Sequence, residues 1–91
     1  MRTTIVLPTY NERENIRSLI ERIAALRIPD CSLLIVDDAS PDGTGAIGEE
    51  IARTHPWVHV LHRTRKEGLG AAYVAGFRHA LAAGTDVIVQ M

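Results

Sequence analysis

Two adjacent carboxylates, Asp37 and Asp38, end the apolar run Leu33-Leu34-Ile35-Val36. Charge in such a place is costly unless it is paired or put to use. A carboxylate has two acceptor oxygens, which match the adjacent N–H donors on the edge of guanine or the single ring N–H of uracil. Asp38 is therefore a candidate reader of a nucleobase. The alternative is that Asp37 and Asp38 only cap the turn and the helix that follow. Glu12 has two readings as well: an acceptor for a ribose diol, or an acid favoured at a helix N-terminus by the macrodipole. Tyr10, close by, offers a flat face for stacking on a base. Arg63, Arg65 and Lys66 come just before Gly68-Leu69-Gly70. Positive charge ahead of a helix N-terminus can meet a diphosphate or can form a solvated loop.

Other chemistries find little support. The Gly-x-Gly does not extend to a dinucleotide fingerprint, because Tyr73 holds the third glycine's position and the segment follows a third strand rather than a first. No Gly-Lys-Ser/Thr is present. His55, His59, His62 and His79 share no metal-ligand spacing and read as structural. Ser40 has no His or Asp arrangement that would make it a nucleophile. A single cysteine, Cys31, rules out an internal disulfide, suits a cytoplasmic chain and reads as a buried filler at a strand start, as Trp57 does at another. A net charge of −1 supplies no field toward nucleic acid or an anionic membrane. No apolar run reaches the roughly 18–20 residues of a membrane span, and the N-terminus lacks the pattern of a signal peptide. The 91 residues allow one small domain at most, and 46% hydrophobic residues fit a globular chain.

The elements that must position these groups follow from periodicity. Residues 3–7 are short, β-branched and apolar, and read as a strand. Residues 11–27 read as a helix, with Asn11 and Glu14 in a capping-box pattern and Ile16, Leu19, Ile20, Ile23 and Ala24 in one apolar stripe. Residues 32–36 are continuously apolar, the mark of a strand covered on both faces. Turn chemistry at residues 39–43 leads into a helix ending near Thr54, with Ile47 and Ile51 on one side. Val58 and Val60 alternate with His59 and Leu61 in a weaker strand, which places His59 and His62 on opposite faces. Residues 69–83 read as a third helix, with Leu69, Ala72, Tyr73, Phe77, Ala80 and Leu81 inward and Gly84 as its stop. Val87, Ile88 and Val89 open a fourth strand.

Strands alternating with helices imply an α/β fold with parallel strands and right-handed crossovers. Ligands of such sheets bind outside the carboxyl ends of the strands. The polar segments 9–12, 37–43 and 63–70 each follow a strand and so share that rim. The chain stops within its fourth strand, leaving an open apolar edge, so further residues are expected and association through that edge is a possible partner interaction.

Three segments together resemble glycosyltransferase family 2: Val6-Leu7-Pro8-Thr9-Tyr10-Asn11-Glu12-Arg13-Glu14-Asn15, then Ile35-Val36-Asp37-Asp38-Ala39-Ser40-Pro41-Asp42-Gly43-Thr44, then Gly68-Leu69-Gly70-Ala71-Ala72-Tyr73 with Gly76-Phe77. The Ser-Pro-Asp-Gly-Thr extension resembles the branch acting on dolichyl or polyprenyl phosphate. The resemblance covers essentially the whole chain and implies the GT-A type, a Rossmann-like parallel sheet, here its N-terminal portion with about four strands and three helices. By that resemblance Pro8, Tyr10 and Glu12 line the nucleoside pocket, Val36 and Asp38 hold the base, and Lys66 contributes from a variable stretch. The implied donor is a nucleotide-diphospho-sugar, GDP-mannose, and the implied acceptor a polyprenyl phosphate, with no nucleic acid involved.

In that family an Asp-x-Asp motif at the end of the fourth strand binds Mg²⁺ or Mn²⁺. Here the chain ends at Met91, where the motif would begin. The expectation is an N-terminal nucleotide-binding part, residues 1–91, with no catalytic residue and no metal ligand of its own, inactive alone. The full-length protein is expected in the cytoplasm, at the cytoplasmic membrane face. The rival readings are a non-catalytic nucleotide-binding domain, a family member with a UDP-sugar donor and another acceptor, and a receiver domain. The last is disfavoured because its acidic pair follows the first strand.

Overall fold

The computed structural model describes residues 1–91. The chain alternates strictly between strand and helix: β1 (Thr3–Thr9), α1 (Ile16–Ala25), β2 (Cys31–Asp37), α2 (Thr44–Thr54), β3 (Val58–His62), α3 (Leu69–Ala82) and β4 (Val87–Gln90). The four strands form one parallel sheet in the order β3-β2-β1-β4. The chain moves outward from β1 to β3 and then crosses back to the far side of β1. Crossovers of one hand that run in opposite directions place their helices on opposite faces.

The burial pattern follows that rule. Odd-numbered residues of β1 and β2, namely Ile5, Leu7, Leu33 and Ile35, pack with Ile16, Ile20 and Ile23 of α1 and Ile51 of α2. Even-numbered Val6, Leu34 and Val36 pack with Ala72 of α3, flanked by Tyr73 and Phe77. The continuous apolar run in β2 is thus covered on both faces, as its sequence requires. Gly76 lets α3 lie close to the sheet. A Cβ there would sit 2.5 Å from Val6 Cγ1 and 2.9 Å from Val36 Cγ2. β3 is an edge strand, and its faces carry His59 and His62 in opposite directions: His62 meets Glu49 of α2 at 3.4 Å. Trp57 packs against the first core cluster just before β3, and Cys31 is half-buried at the start of β2.

Four expectations are corrected. The first helix begins at Ile16, not Asn11, and ends at Ala25. Asn11 takes a left-handed conformation (φ 55°), so it starts a loop, and the Asn11–Glu14 capping box does not form. Ala24 is exposed, outside the buried stripe. In α3, Leu69 and Leu81 face solvent at 64% and 63% exposure, because the helix buries its Ala72-Gly76-Ala80 line against the sheet, flanked by Tyr73 and Phe77. No helix is long and apolar enough to cross a membrane.

Candidate functional site

The strand order reverses between β1 and β4, and in open α/β sheets the binding crevice lies at the carboxyl ends beside such a reversal. Thr9 at the end of β1 is level with Asp37 at the end of β2, which is level with His62 at the end of β3. The loops after these strands, residues 10–15, 38–43 and 63–68, therefore start from one rim and are tied to one another.

Asp37 and Asp38 point to different faces and do different work. Asp37 is buried on the α1/α2 side. Its carboxylate accepts hydrogen bonds from Thr9 Oγ1 (3.0 Å), the Ser40 N–H (3.1 Å) and Ser40 Oγ (2.6 Å). This side chain caps the turn, one of the two alternatives its sequence left open. Asp38 turns the other way, toward the loop before α3. The Glu67 and Gly68 N–H groups donate to it at 3.4 and 3.3 Å. Arg63 Nη1 lies 3.5 Å from Asp38 Oδ1, and Arg63 Nη2 lies 3.2 Å from Glu67 Oε1. The first contact is an ion pair without hydrogen-bond geometry, so that buried nitrogen has no hydrogen-bond partner. Neither aspartate caps α2. That role falls to Asp42, whose Oδ1 accepts from the Thr44 N–H (3.0 Å) and from the Thr44 hydroxyl. The hydroxyl bond is the main reason the Asp42 carboxyl is held below its ordinary range. Gly43 supplies the left-handed turn (φ 92°) between the two residues.

Tyr10 and Lys66 meet across the rim. The Lys66 ammonium lies 4.0 Å from the centre of the Tyr10 ring, a cation–π contact that joins the first loop to the third. Glu12 keeps its carboxylate near the surface, where it accepts from Asn15 Nδ2 at 3.2 Å, while its carbonyl accepts from the N–H groups of Asn15 and Ile16. The Asp38 N–H donates to the Thr9 carbonyl at 3.0 Å. Tyr10, Glu12, Asp38 and Lys66 thus lie on neighbouring, cross-linked loops. Pro8 lies within β1 opposite Val36 and is half-buried. Val36 itself is fully buried in the α3-side core, so its side chain offers no surface to a ligand. Of the three basic residues in the third loop, Arg63 is folded inward, whereas Arg65 and Lys66 are exposed.

No group of three or more His, Cys, Asp or Glu could hold a metal ion. A cleft of about 380 Å³ lies elsewhere, between the end of α1 and the start of β2, lined by Ile23, Ile28, Cys31 and Trp57 among others. Burial pushes the Cys31 thiol up, which makes it a poor nucleophile.

Ser40, Asp42 and Thr44 were read from sequence only as turn residues and parts of a motif. The structure shows each holding a backbone N–H of the first loop: Asn11 N–H to Ser40 Oγ (3.1 Å), Glu12 N–H to Thr44 Oγ1 (3.0 Å) and Arg13 N–H to Asp42 Oδ2 (3.2 Å). Their spacing at alternate positions was the available signal, but its target, a loop about 30 residues earlier, is not visible locally.

Residues 4–89 match glycosyl transferase family 2. Over 91 residues the chain is 52% identical to the polyprenol monophosphomannose synthase of Mycolicibacterium smegmatis, covering 99% of this chain and 34% of the relative. It is 50% identical to the undecaprenyl-phosphate mannosyltransferase of Micrococcus luteus, covering 100% and 37%. The dolichol-phosphate mannosyltransferase of Pyrococcus furiosus is 40% identical, with 100% and 25% covered. The chain therefore spans about a quarter to just over a third of the length of these relatives.

Among solved structures, the mannosyltransferase PcManGT of Pyrobaculum calidifontis, in complex with GDP-Man and Mn²⁺, superposes with a TM-score of 0.80 at 32% identity, covering 87% of this chain and 24% of that one. The S. aureus TarS 1–349 structure superposes with a TM-score of 0.81 at 25% identity, covering 99% and 27%. The architecture, four parallel strands and three helices, is of the GT-A type. Matched to the family from its first strand to its fourth, the chain belongs to glycosyl transferase family 2.

Proposed function

We propose that these 91 residues are the N-terminal nucleotide-binding part of a glycosyltransferase that moves mannose from GDP-mannose to a polyprenyl phosphate at the cytoplasmic face of a membrane. One observation carries the reading: Tyr10, Glu12 and Asp38 occupy cross-linked loops on a single rim, in a chain half identical to polyprenyl-phosphate mannosyltransferases. Tyr10 supplies the stacking face and Lys66 a positive charge beside it. Glu12 has free acceptor capacity for a ribose diol. Asp38 is buried and paired with Arg63, but it accepts only two long backbone hydrogen bonds, and guanine presents adjacent N–H donors to such a carboxylate.

The implied chemistry is one in-line displacement with inversion. A phosphate oxygen of the lipid forms the new bond to the anomeric carbon, the bond to the diphosphate breaks, and GDP leaves with the electron pair. A phosphate monoester is already anionic near neutral pH, so the attacking oxygen needs little help from a base. The residues present bind and orient the donor, and none makes or breaks a bond. A divalent cation such as the Mn²⁺ of the Pyrobaculum structure would neutralise the leaving diphosphate, held by residues other than these.

Calorimetric titration with GDP, UDP and NAD tests the binding claim. GDP should bind with the highest affinity. Silence toward all three from a chain shown to be folded would overturn it.

A further inference from the structure

The first and second loops are joined by a device that the nucleotide reading does not use. Three consecutive backbone N–H groups, those of Asn11, Glu12 and Arg13, donate to the side chains of Ser40, Thr44 and Asp42. Each acceptor is itself held. The Ser40 hydroxyl donates to Asp37, which also accepts from Thr9 at the end of β1. The Thr44 hydroxyl donates to Asp42 while it accepts from Glu12, and Thr44 is fully buried. Each link therefore passes polarity on to the next, and such chains strengthen their members. The segment they hold begins at a residue with φ 55°, outside the regular helix and strand regions. Local contacts reach only the Glu12 carbonyl and carboxylate, from Asn15 and Ile16, and leave the three N–H groups without a local acceptor. The three side chains of the Ser-Pro-Asp-Gly-Thr stretch do so, from across the rim.

We infer that Ser40, Asp42 and Thr44 are positioning residues that fix the backbone between Tyr10 and Arg13, so that the Tyr10 ring and the Glu12 carboxylate face the same ligand. This rests on the nucleotide reading of the rim. None of the three touches the ligand. They act by removing the entropy that a free loop would lose on binding. The stretch is then more than a turn: its alternate polar positions are spaced to meet three successive amides of one partner loop.

The test compares the unsubstituted chain with Thr44→Val, Thr44→Ser and Ser40→Ala, reading amide hydrogen exchange, GDP affinity and melting temperature. Thr44→Val removes the acceptor for the Glu12 N–H and keeps the buried volume. Exchange at Glu12 should quicken by about tenfold while the β1 and β2 amides stay protected. GDP affinity should fall by about tenfold. Thr44→Ser should restore both, which a loss of packing alone would not allow. Ser40→Ala should reproduce the pattern at Asn11 if Thr44→Val does not fold. Faster exchange with unchanged GDP affinity in the folded variants would overturn the positioning role. In that event Asp38→Asn would still weaken GDP binding if the nucleotide reading holds. Failure of the unsubstituted, folded chain to bind GDP, UDP or NAD would overturn that reading and this inference with it.

Discussion

Asp38 and Arg63 face each other at 3.5 Å at the carboxyl end of the sheet, with side chains only 6% and 13% exposed. Through this pair and the two N–H donors before α3, the end of β2 holds the third loop in place. Asp38 is therefore both a candidate base reader and a latch, and its substitution has structural consequences. A buried pair is a weak source of net stability, but losing one partner strands the other's charge.

Arg63→Met should cost about 3 kcal/mol of unfolding free energy, because it leaves the buried Asp38 carboxylate with only two long backbone hydrogen bonds. Urea denaturation checks this. A loss below about 0.5 kcal/mol would mean that solvent reaches the carboxylate and the latch is superficial.

Gly76→Ala should destabilise by about 1–3 kcal/mol through overpacking. The new methyl would meet Val6 and Val36 at 2.5 and 2.9 Å, and both belong to the sheet core rather than to flexible surface chains. Pairing it with Val36→Ala should recover part of the loss in the same denaturation assay. Plain additivity would show that α3 can lift away without strain.

The Asp42 carboxyl titrates below its ordinary range because the Thr44 hydroxyl and backbone amides bond its charged form. A carboxyl whose folded pKa is depressed adds stability above its unfolded pKa and loses it as pH falls through the folded value. Thermal melts should therefore show an acid limb beginning near about pH 4. Asp42→Asn should flatten that limb and leave the neutral range nearly unchanged in slope. An identical acid limb in the variant would assign it to other carboxylates.

Ile20→Ala should cost about 2–5 kcal/mol, whereas Leu81→Gln should stay within about 0.5 kcal/mol. Ile20 is 3% exposed in the core against β1 and β2, and Leu81 is 63% exposed on the outer side of α3. Similar losses for the two would restore the inward assignment of Leu81 that the sequence suggested.

The contrast between these two residues shows how far sequence reading reached. In α1 the apolar positions sit among Arg17, Glu21 and Arg22, so the buried face is marked by the polar one. In α3 almost every position is apolar or small, and the pattern does not mark which line meets the sheet. Gly76 marks it in the structure, because only a missing Cβ allows the helix so near Val6 and Val36. Val36 shows a related limit. The family resemblance implies a place for it at the base, and strand alternation under α3 puts its side chain in the core.

By itself the sequence determined the order of elements, the parallel sheet, the two-sided burial of β2, and the three polar segments that follow the strands. Periodicity, strand-length apolar runs and turn residues act over a few positions, and those can be read along a chain. Only the tertiary structure decided which way each aspartate turns, that Arg63 folds inward to Asp38, and that residues 40, 42 and 44 hold the amides of residues 11–13. Those partners lie 25 to 32 residues apart in the chain. They meet because the register of β1, β2 and β3 brings their carboxyl ends level, a relation that no local window of sequence contains.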